Sequence, residues 1–267
     1  MTDLLVRRRA PDASGIVAEV TPASANWGHV GFRVQQLAAG QSAEGGEAGR
    51  EVCLVILSGR ADVMAGGRIM TSVGGRGSVF DDVAPGAVYA PAGVDWIVTA
   101  TTPVELAVCS APSTGRLPVR QVMPEQMSRE VRGGGANTRY VRNILPETEP
   151  ADSLLVVEVT TPGGNWSSYP PHKHDTSTPG EETALEETYY HRLNPPQGFA
   201  FQRVYTDDRS IDETMAVEDG DVVMVPRGYH PVSAPYGYDL YYLNVMAGPK
   251  RQWIFRNDPA HDWIMRR

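Results

Sequence analysis

The run Pro170-Pro171-His172-Lys173-His174 sets the reading of this chain. In an extended strand successive side chains point to opposite faces, so His172 and His174 project to one side and Lys173 to the other. A second run, Glu187-Thr188-Tyr189-Tyr190-His191-Arg192, is rich in β-prone residues. It follows an acidic loop containing Pro and Gly, Asp175 to Glu186, that reads as a surface excursion. The same alternation puts Glu187, Tyr189 and His191 on one face. Asp219-Gly220-Asp221 reads as a turn, Val222-Val223-Met224-Val225 as a buried strand, and Pro226-Arg227-Gly228-Tyr229 as a bend that aims His230 inward. His172, His174 and His230, with the carboxylate of Glu187, make a site for one divalent metal ion, zinc, manganese or iron. Four ligands leave room for water or substrate. A lone strand histidine is more often hydrogen-bonded or exposed than a ligand, but half of the six histidines fall into this one pattern.

The 267 residues suffice for one large domain or two of ordinary size, and 41% hydrophobic content is enough for a core. Short Val/Ile/Tyr-rich runs separated by 27 Gly and 21 Pro favour an all-β protein. A net charge of -8 argues against nucleic acid or an anionic membrane as partner, since both would repel the surface. Leu4-Leu5-Val6 is too short an apolar run for a signal peptide or a spanning helix, so a cytoplasmic address is expected. Cys53 and Cys109 lie in apolar runs and read as buried free thiols, with a disulfide between neighbouring strands as the alternative.

Ile16 to Val20 and Val30 to Leu37 read as strands, Ala38 to Gly49 as a turn region, and Glu51 to Val63 as strand, turn and strand. Val83 to Gly93 has the layout of Val217 to Gly228, with Val94 at or beside the place His230 takes later, and Glu105 to Pro112 parallels Leu240 to Pro249. Two copies of one β-barrel unit are expected, residues 1–132 and 133–267, with only the second keeping metal ligands, since His29 is the sole histidine before His172. Pro118 to Val131 reads as a helix or an extended arm, and Gly133-Gly134-Gly135 as the break between units. Trp253 to Arg267 reads as a packing segment. Open barrel edges make a homo-oligomer an expected assembly.

At the histidine and glutamate positions the chain resembles the cupin superfamily, which places His-x-His and Glu on one strand pair and a further His after Gly-x5-Pro-x-Gly on another. Here the gap from His174 to Glu187 is longer than that motif allows, and one residue rather than two separates Gly228 from His230, which leaves Glu186 as a rival ligand. Glu187 is preferred because Glu-x-Tyr sets the tyrosine inward beside it. Longer blocks, Asn165 to Asp175, Glu186 to Arg192, Gln202 to Asp208, Val225 to Val232 and Tyr238 to Gly248, resemble the 5-deoxy-glucuronate isomerase family of myo-inositol catabolism, strongly in the second half and loosely in the first.

That resemblance implies a bicupin fold and an aldose to ketose shift, from 5-deoxy-D-glucuronate to 5-dehydro-2-deoxy-D-gluconate. A divalent ion would stabilise charge on the two oxygens while a base near neutrality moves a proton between adjacent carbons. His191 is the expected base, with a buried hydrogen-bonding role as its alternative; Glu187 is a further candidate, and Tyr189 or Tyr205 would hydrogen-bond the oxygens. Arg203 and Arg227 are the expected partners of the small sugar-acid substrate's carboxylate, because a guanidinium offers a bidentate fork, and Tyr242 would line the same cavity. Other classes compatible with these ligands are an Fe(II) dioxygenase, a 5-keto-4-deoxyuronate isomerase-like enzyme and a non-enzymatic sugar-acid sensor. No helix-turn-helix pattern supports the last.

Overall fold

Short apolar runs punctuated by Gly and Pro become short strands throughout the computed structural model, which describes residues 3–266. Met1, Thr2 and Arg267, at the ends of the two expected units, lie outside the described residues. The first half carries β1 (Leu5–Val6), β2 (Ile16–Val20), β3 (Gly31–Leu37), β4 (Ser42–Gly45), β5 (Arg50–Ser58) and β6 (Arg60–Ala65). It continues through β7 (Arg68–Gly74), β8 (Gly86–Ala90), β9 (Trp96–Ala100), β10 (Val104–Pro112) and β11 (Arg120–Val122). Next come β12 (Arg129–Arg132), β13 (Arg139–Leu145), β14 (Leu155–Thr161), β15 (Trp166–Ser167), β16 (His172–Lys173) and β17 (Glu186–Asn194). The chain ends with β18 (Phe199–Tyr205), β19 (Asp212–Glu218), β20 (Val222–Val225), β21 (Val232–Ser233), β22 (Asp239–Ala247) and β23 (Arg256–Asn257). Pro118 to Val131 is therefore an arm of two strands around a 3-10 turn rather than a helix, and β4 lies inside the region that reads as turn.

The large sheet of the first half has the order β11-β8-β5-β10-β3-β2, and that of the second β1-β20-β17-β22-β14-β13-β12. Position for position β2, β3, β5, β8 and β10 correspond to β13, β14, β17, β20 and β22, so the sequence repeat is also a repeat of strand order. Each large sheet faces a four-stranded one, β4-β9-β6-β7 or β15-β21-β18-β19, while β16 pairs with β23. Alternation along β17 and β22 sends Tyr189, Leu193, Leu240 and Tyr242 into the core of the second half. It sends Tyr190, Tyr241, Leu243 and Val245 into a third core that also holds Cys53, Val55, Ala107 and Cys109 from the first half. Both faces of each large sheet are thus buried, which is why their strands read as continuous apolar runs. Cys53 and Cys109 are register partners on neighbouring strands and both are free.

The halves are interlocked beyond apolar contact. Glu51 on β5 accepts the backbone N–H groups of Asp152, Ser153 and Leu154, just before β14. Glu186 on β17 accepts those of Gly28, His29 and Val30, just before β3. Because β5 matches β17 and β3 matches β14, these are one interaction made twice in opposite senses. Strands also cross: β1 pairs with β20 of the second sheet, and β12 pairs with β13. The boundary expected at Gly133 therefore falls inside a hairpin.

Candidate metal centre

β16 is short because Pro170 and Pro171 supply no N–H, yet His172 and Lys173 pair with Asn257 and Arg256, and this fixes which way each side chain points. Lys173 faces away from the histidines, its Nζ 2.8 Å from Asp175 Oδ1 and 3.1 Å from Asp207 Oδ2. His230 follows Gly228, which has φ +92° and sits so close to Tyr205 that an added Cβ would lie 2.4 Å from its carbonyl oxygen. Only glycine fits this bend. The result is that one ligand nitrogen from each of His172, His174 and His230 lies within 4.8 Å of the others, all three residues being buried. Glu187, on the inward face of β17, places Oε2 3.0 Å from His174 Nε2 and 3.3 Å from His230 Nε2.

Two backbone carbonyls orient the rings. His230 Nδ1 lies 2.8 Å from the Gly228 carbonyl and His174 Nδ1 lies 3.3 Å from that of Leu185. A proton on each Nδ1 leaves both Nε2 lone pairs aimed at one carboxylate oxygen, which is repulsive unless a proton or a cation sits between them. His230 Nε2 is accordingly buried without a hydrogen-bond partner. Burial and the neighbouring His230 and His174 push His172 well below its ordinary pKa. Burial also lowers His230, to about 4, against the pull of Glu187. His174 is likewise depressed by burial, but the hydrogen bond and charge of Glu187 outweigh this and raise it. Three imidazoles beside a carboxylate are the donor set of a borderline divalent cation, so these residues fit one.

Glu186 is not a ligand: it points to the opposite face of β17 and is taken up by the three N–H groups before β3. The Asp175 to Glu186 loop is a surface excursion only at its tip, since Glu182, Thr183 and Leu185 are buried and Glu182 accepts from the N–H groups of Asp175 and Thr176. Tyr189 and Tyr242 lie inside the second half, the Tyr189 ring centroid 5.7 Å from that of His230. Their hydroxyls meet Ser168 and Ser167.

His191 shares their face but lies deeper. It is four strand residues, roughly 13 Å, from Glu187, stacked on Tyr189 and bonded through Nε2 to Gln202. Burial lowers it to about 4, and it is a fully buried histidine set behind Tyr189 from the cluster. Alternation on β18 turns Gln202 inward and Arg203 outward, where Arg203 forms a bidentate pair with Asp212. Arg227 is exposed and donates to Ser210. Tyr205 is also on the outer side, its hydroxyl on Asp258. Neither arginine reaches the cluster, and Tyr205 meets the C-terminal segment instead.

Two neighbours carry no local sequence signal. Phe255, from the C-terminal packing segment, lies with its ring centroid 4.5 Å from that of His172. Arg139, on β13, acts electrostatically on His172, Tyr189 and Tyr242. A cavity of about 660 Å³ on the first half, lined by Asp12, Gln36 and Glu105 among others, contains none of these residues.

A double-layered β protein with three histidines and a glutamate converging inside one half has the fold and the centre of a cupin. The oxalate decarboxylase of Lactobacillus farciminis, 14% identical, superposes with a TM-score of 0.67 over 96% of this chain and 89% of its own, a likeness of fold alone. An IolB-like protein of Salmonella typhimurium is 53% identical with a TM-score of 0.96, covering 98% of this chain and 99% of that one. A protein of Geobacillus kaustophilus named 5-deoxy-glucuronate isomerase is 55% identical over 99% of this chain and 96% of its own length. The Bacillus subtilis protein of that name is 50% identical over 94% of this chain and 93% of its own. The model of the KduI/IolB family matches residues 4–264, and this chain belongs to that family.

Proposed function

We propose that this protein is a metal-dependent intramolecular oxidoreductase that converts 5-deoxy-D-glucuronate to 5-dehydro-2-deoxy-D-gluconate, acting in the cytoplasm in myo-inositol catabolism. The observation that carries the reading is the buried three-histidine cluster with Glu187 at 3.0 and 3.3 Å from two of its nitrogens. Its context is a chain 55% identical to a protein named for that isomerase. His172, His174, His230 and Glu187 would hold the ion. A bound divalent cation supplies a Lewis acid for the negative charge that develops on two adjacent substrate oxygens.

The proton that moves between neighbouring carbons is assigned to Glu187 rather than to His191, because Glu187 adjoins the cluster while His191 is sealed behind Tyr189. Burial, and then the charge of Glu187, raise Tyr189 well above its ordinary range, so its hydroxyl stays protonated and able to donate. The first half is assigned a structural role. Glu51 and Glu186 are equivalent, so Val52 stands where Glu187 stands in the second half, and a valine offers no ligand.

The test is to incubate the purified protein, its metal content measured, with 5-deoxy-D-glucuronate and follow the carbonyl by NMR. Conversion to the 2-ketose without oxygen uptake is the expected result. An unchanged aldehyde signal with the metal site full would overturn the assignment.

A further inference from the structure

At the start of β13 the second half holds a half-buried guanidinium that has no counter-charge among the described residues. Arg139 lies on β13 on the same face as Val141, which belongs to that core. Its Nη1 donates to the Asn137 carbonyl at 3.0 Å and to Asn137 Oδ1 at 2.9 Å. Asn137 in turn donates through Nδ2 to the carbonyl of Tyr169, 2.8 Å away, in the segment leading to His172. Gly133-Gly134-Gly135 is part of this holder rather than a loose break. Gly133 has φ +74°, and a Cβ there would lie 2.0 Å from the Asn137 carbonyl oxygen and 2.7 Å from Arg139 Nη1. The β12–β13 turn is thus built to close over the guanidinium.

What the holder lacks is an anion. Among the described residues no carboxylate lies within ion-pair distance of Arg139, although Arg76 and Arg142 pair with Glu158, and Arg192 with Glu105 and Asp219. Its register partner Arg132 is paired with Glu130 and stacks on Trp253. Burial is the largest influence on Arg139 and, with the like charge of Arg132, lowers it from its ordinary range against the opposing pull of Tyr242 and Tyr189. A charge held in one geometry and left uncompensated is costly, and such a group fits an anion delivered from outside. Its charge acts on Tyr242, Tyr189 and His172 of the histidine cluster.

We propose that Arg139 receives the carboxylate of the substrate, so that the site selects a sugar acid over the corresponding neutral sugar. The inference rests on the isomerase reading for the identity of the substrate. Nη1 is committed to Asn137, and Nη2 and Nε remain to donate to the carboxylate oxygens in parallel, a fork a lysine does not offer. Arg139 is a binding residue and takes no part in moving the proton.

The metal-loaded protein and its Arg139→Gln, Arg139→Lys and Asn137→Ala variants would be compared in turnover of 5-deoxy-D-glucuronate and, by calorimetry, in binding of D-glucuronate and D-glucose. For Arg139→Gln the expected result is a KM raised roughly 100-fold with kcat changed far less, as for loss of a charged hydrogen-bonded pair that acts in ground and transition state alike. D-Glucuronate affinity should fall to that of D-glucose while metal content and Tm stay those of the parent. Arg139→Lys should recover part of the loss, and Asn137→Ala, which frees Nη1, should give a smaller rise in KM.

An unchanged KM in Arg139→Gln and Arg139→Lys, or an equal fall in affinity for both sugars, overturns the proposal. If Arg139→Gln fails to fold, the lysine and Asn137 variants decide by the same readings. A parent protein that binds D-glucuronate through Arg139 but leaves 5-deoxy-D-glucuronate unconverted overturns the isomerase reading and keeps this one. A parent that converts it, with Arg139→Gln unchanged in KM, does the reverse.

Discussion

Glu186 and Glu187 are adjacent, identical in chemistry and on opposite faces of β17, so replacing them one at a time separates fold from function. Glu186 accepts N–H groups at 2.8, 2.9 and 2.8 Å from Gly28, His29 and Val30 of the other half. Each hydrogen bond to a charged group contributes about 1.5–3 kcal/mol. The Gly28 donor regains water when the carboxylate is lost, whereas those of His29 and Val30 are left partly buried. Glu186→Ala should therefore destabilise by about 3–6 kcal/mol, a Tm drop on the order of 10 °C, with the metal still bound at low temperature. Glu187→Gln keeps the side-chain volume and should leave Tm of the metal-free protein nearly unchanged, while weakening the ion by at least ~100-fold, since even outer-shell partners are worth about 10–100-fold. Metal analysis after dialysis against a weak chelator, together with thermal unfolding with and without metal, gives both numbers. Full metal occupancy in Glu187→Gln, or metal loss at parental Tm in Glu186→Ala, would show that β17 does not present these faces as described.

Three further outcomes are expected. His172→Ala, His174→Ala and His230→Ala should each purify folded but without metal and without turnover; full occupancy in all three by metal analysis would rule out the centre. Arg203→Ala and Arg227→Ala should leave KM within about twofold, since exposed arginine pairs contribute little, and a large KM increase in either would put it back in the site. For His191 the folded value of about 4 lies below the unfolded 6.5, so protons bind preferentially to the unfolded chain as pH falls through that window. Stability linked to this one group should then drop by on the order of 3 kcal/mol between pH 6.5 and 4. Urea unfolding of His191→Gln should lack that component, and parallel pH profiles for parent and variant would contradict it.

Period-two alternation is legible in the sequence because the strands here are regular and those of the large sheets are buried on both faces. It separates His172 and His174 from Lys173, and Glu187 from Glu186, and each pair lies as alternation requires. It also contains the answer for Arg203. Gln202, Val204 and Ala200 form the buried alternating set on β18, so Arg203 has to face out, and its bidentate fork is taken by Asp212 instead of a substrate carboxylate. Alternation is silent on depth, which is how His191 shares the face of Glu187 without sharing its pocket. Arg139 had no local mark at all. It lies far upstream of His172, and its place depends on a glycine turn and on pairing among β12, β13 and β14. The exchange of β1 and β12 into the second sheet is likewise a long-range pairing, chosen by which edge is open rather than by the strand's own residues.

That exchange, with the shared core, bears on whether the half with the histidine cluster can stand alone. A fragment of residues 133–267 would lack β1 and β12, opening both edges of its large sheet. It would also expose Ile144, Leu154, Val156, Tyr190, Tyr241, Leu243 and Val245, which in the whole chain meet Cys53, Val55, Ala107 and other residues of the first half. Uncovering a large apolar side chain costs about 1.5–3 kcal/mol, so a handful exceeds the ~5–15 kcal/mol by which a domain is stable. The fragment would further leave Glu186 without its three donors, and Glu158 would keep Arg142 but lose the two hydrogen bonds of the buried Arg76. The expected outcome is a fragment that aggregates or stays molten and binds no metal with useful affinity, recovering only when residues 1–132 are co-expressed. A monomeric fragment with a sharp thermal transition and one bound ion would show instead that the first half is dispensable. The common core would then be a docking of two finished units rather than the joint interior of one.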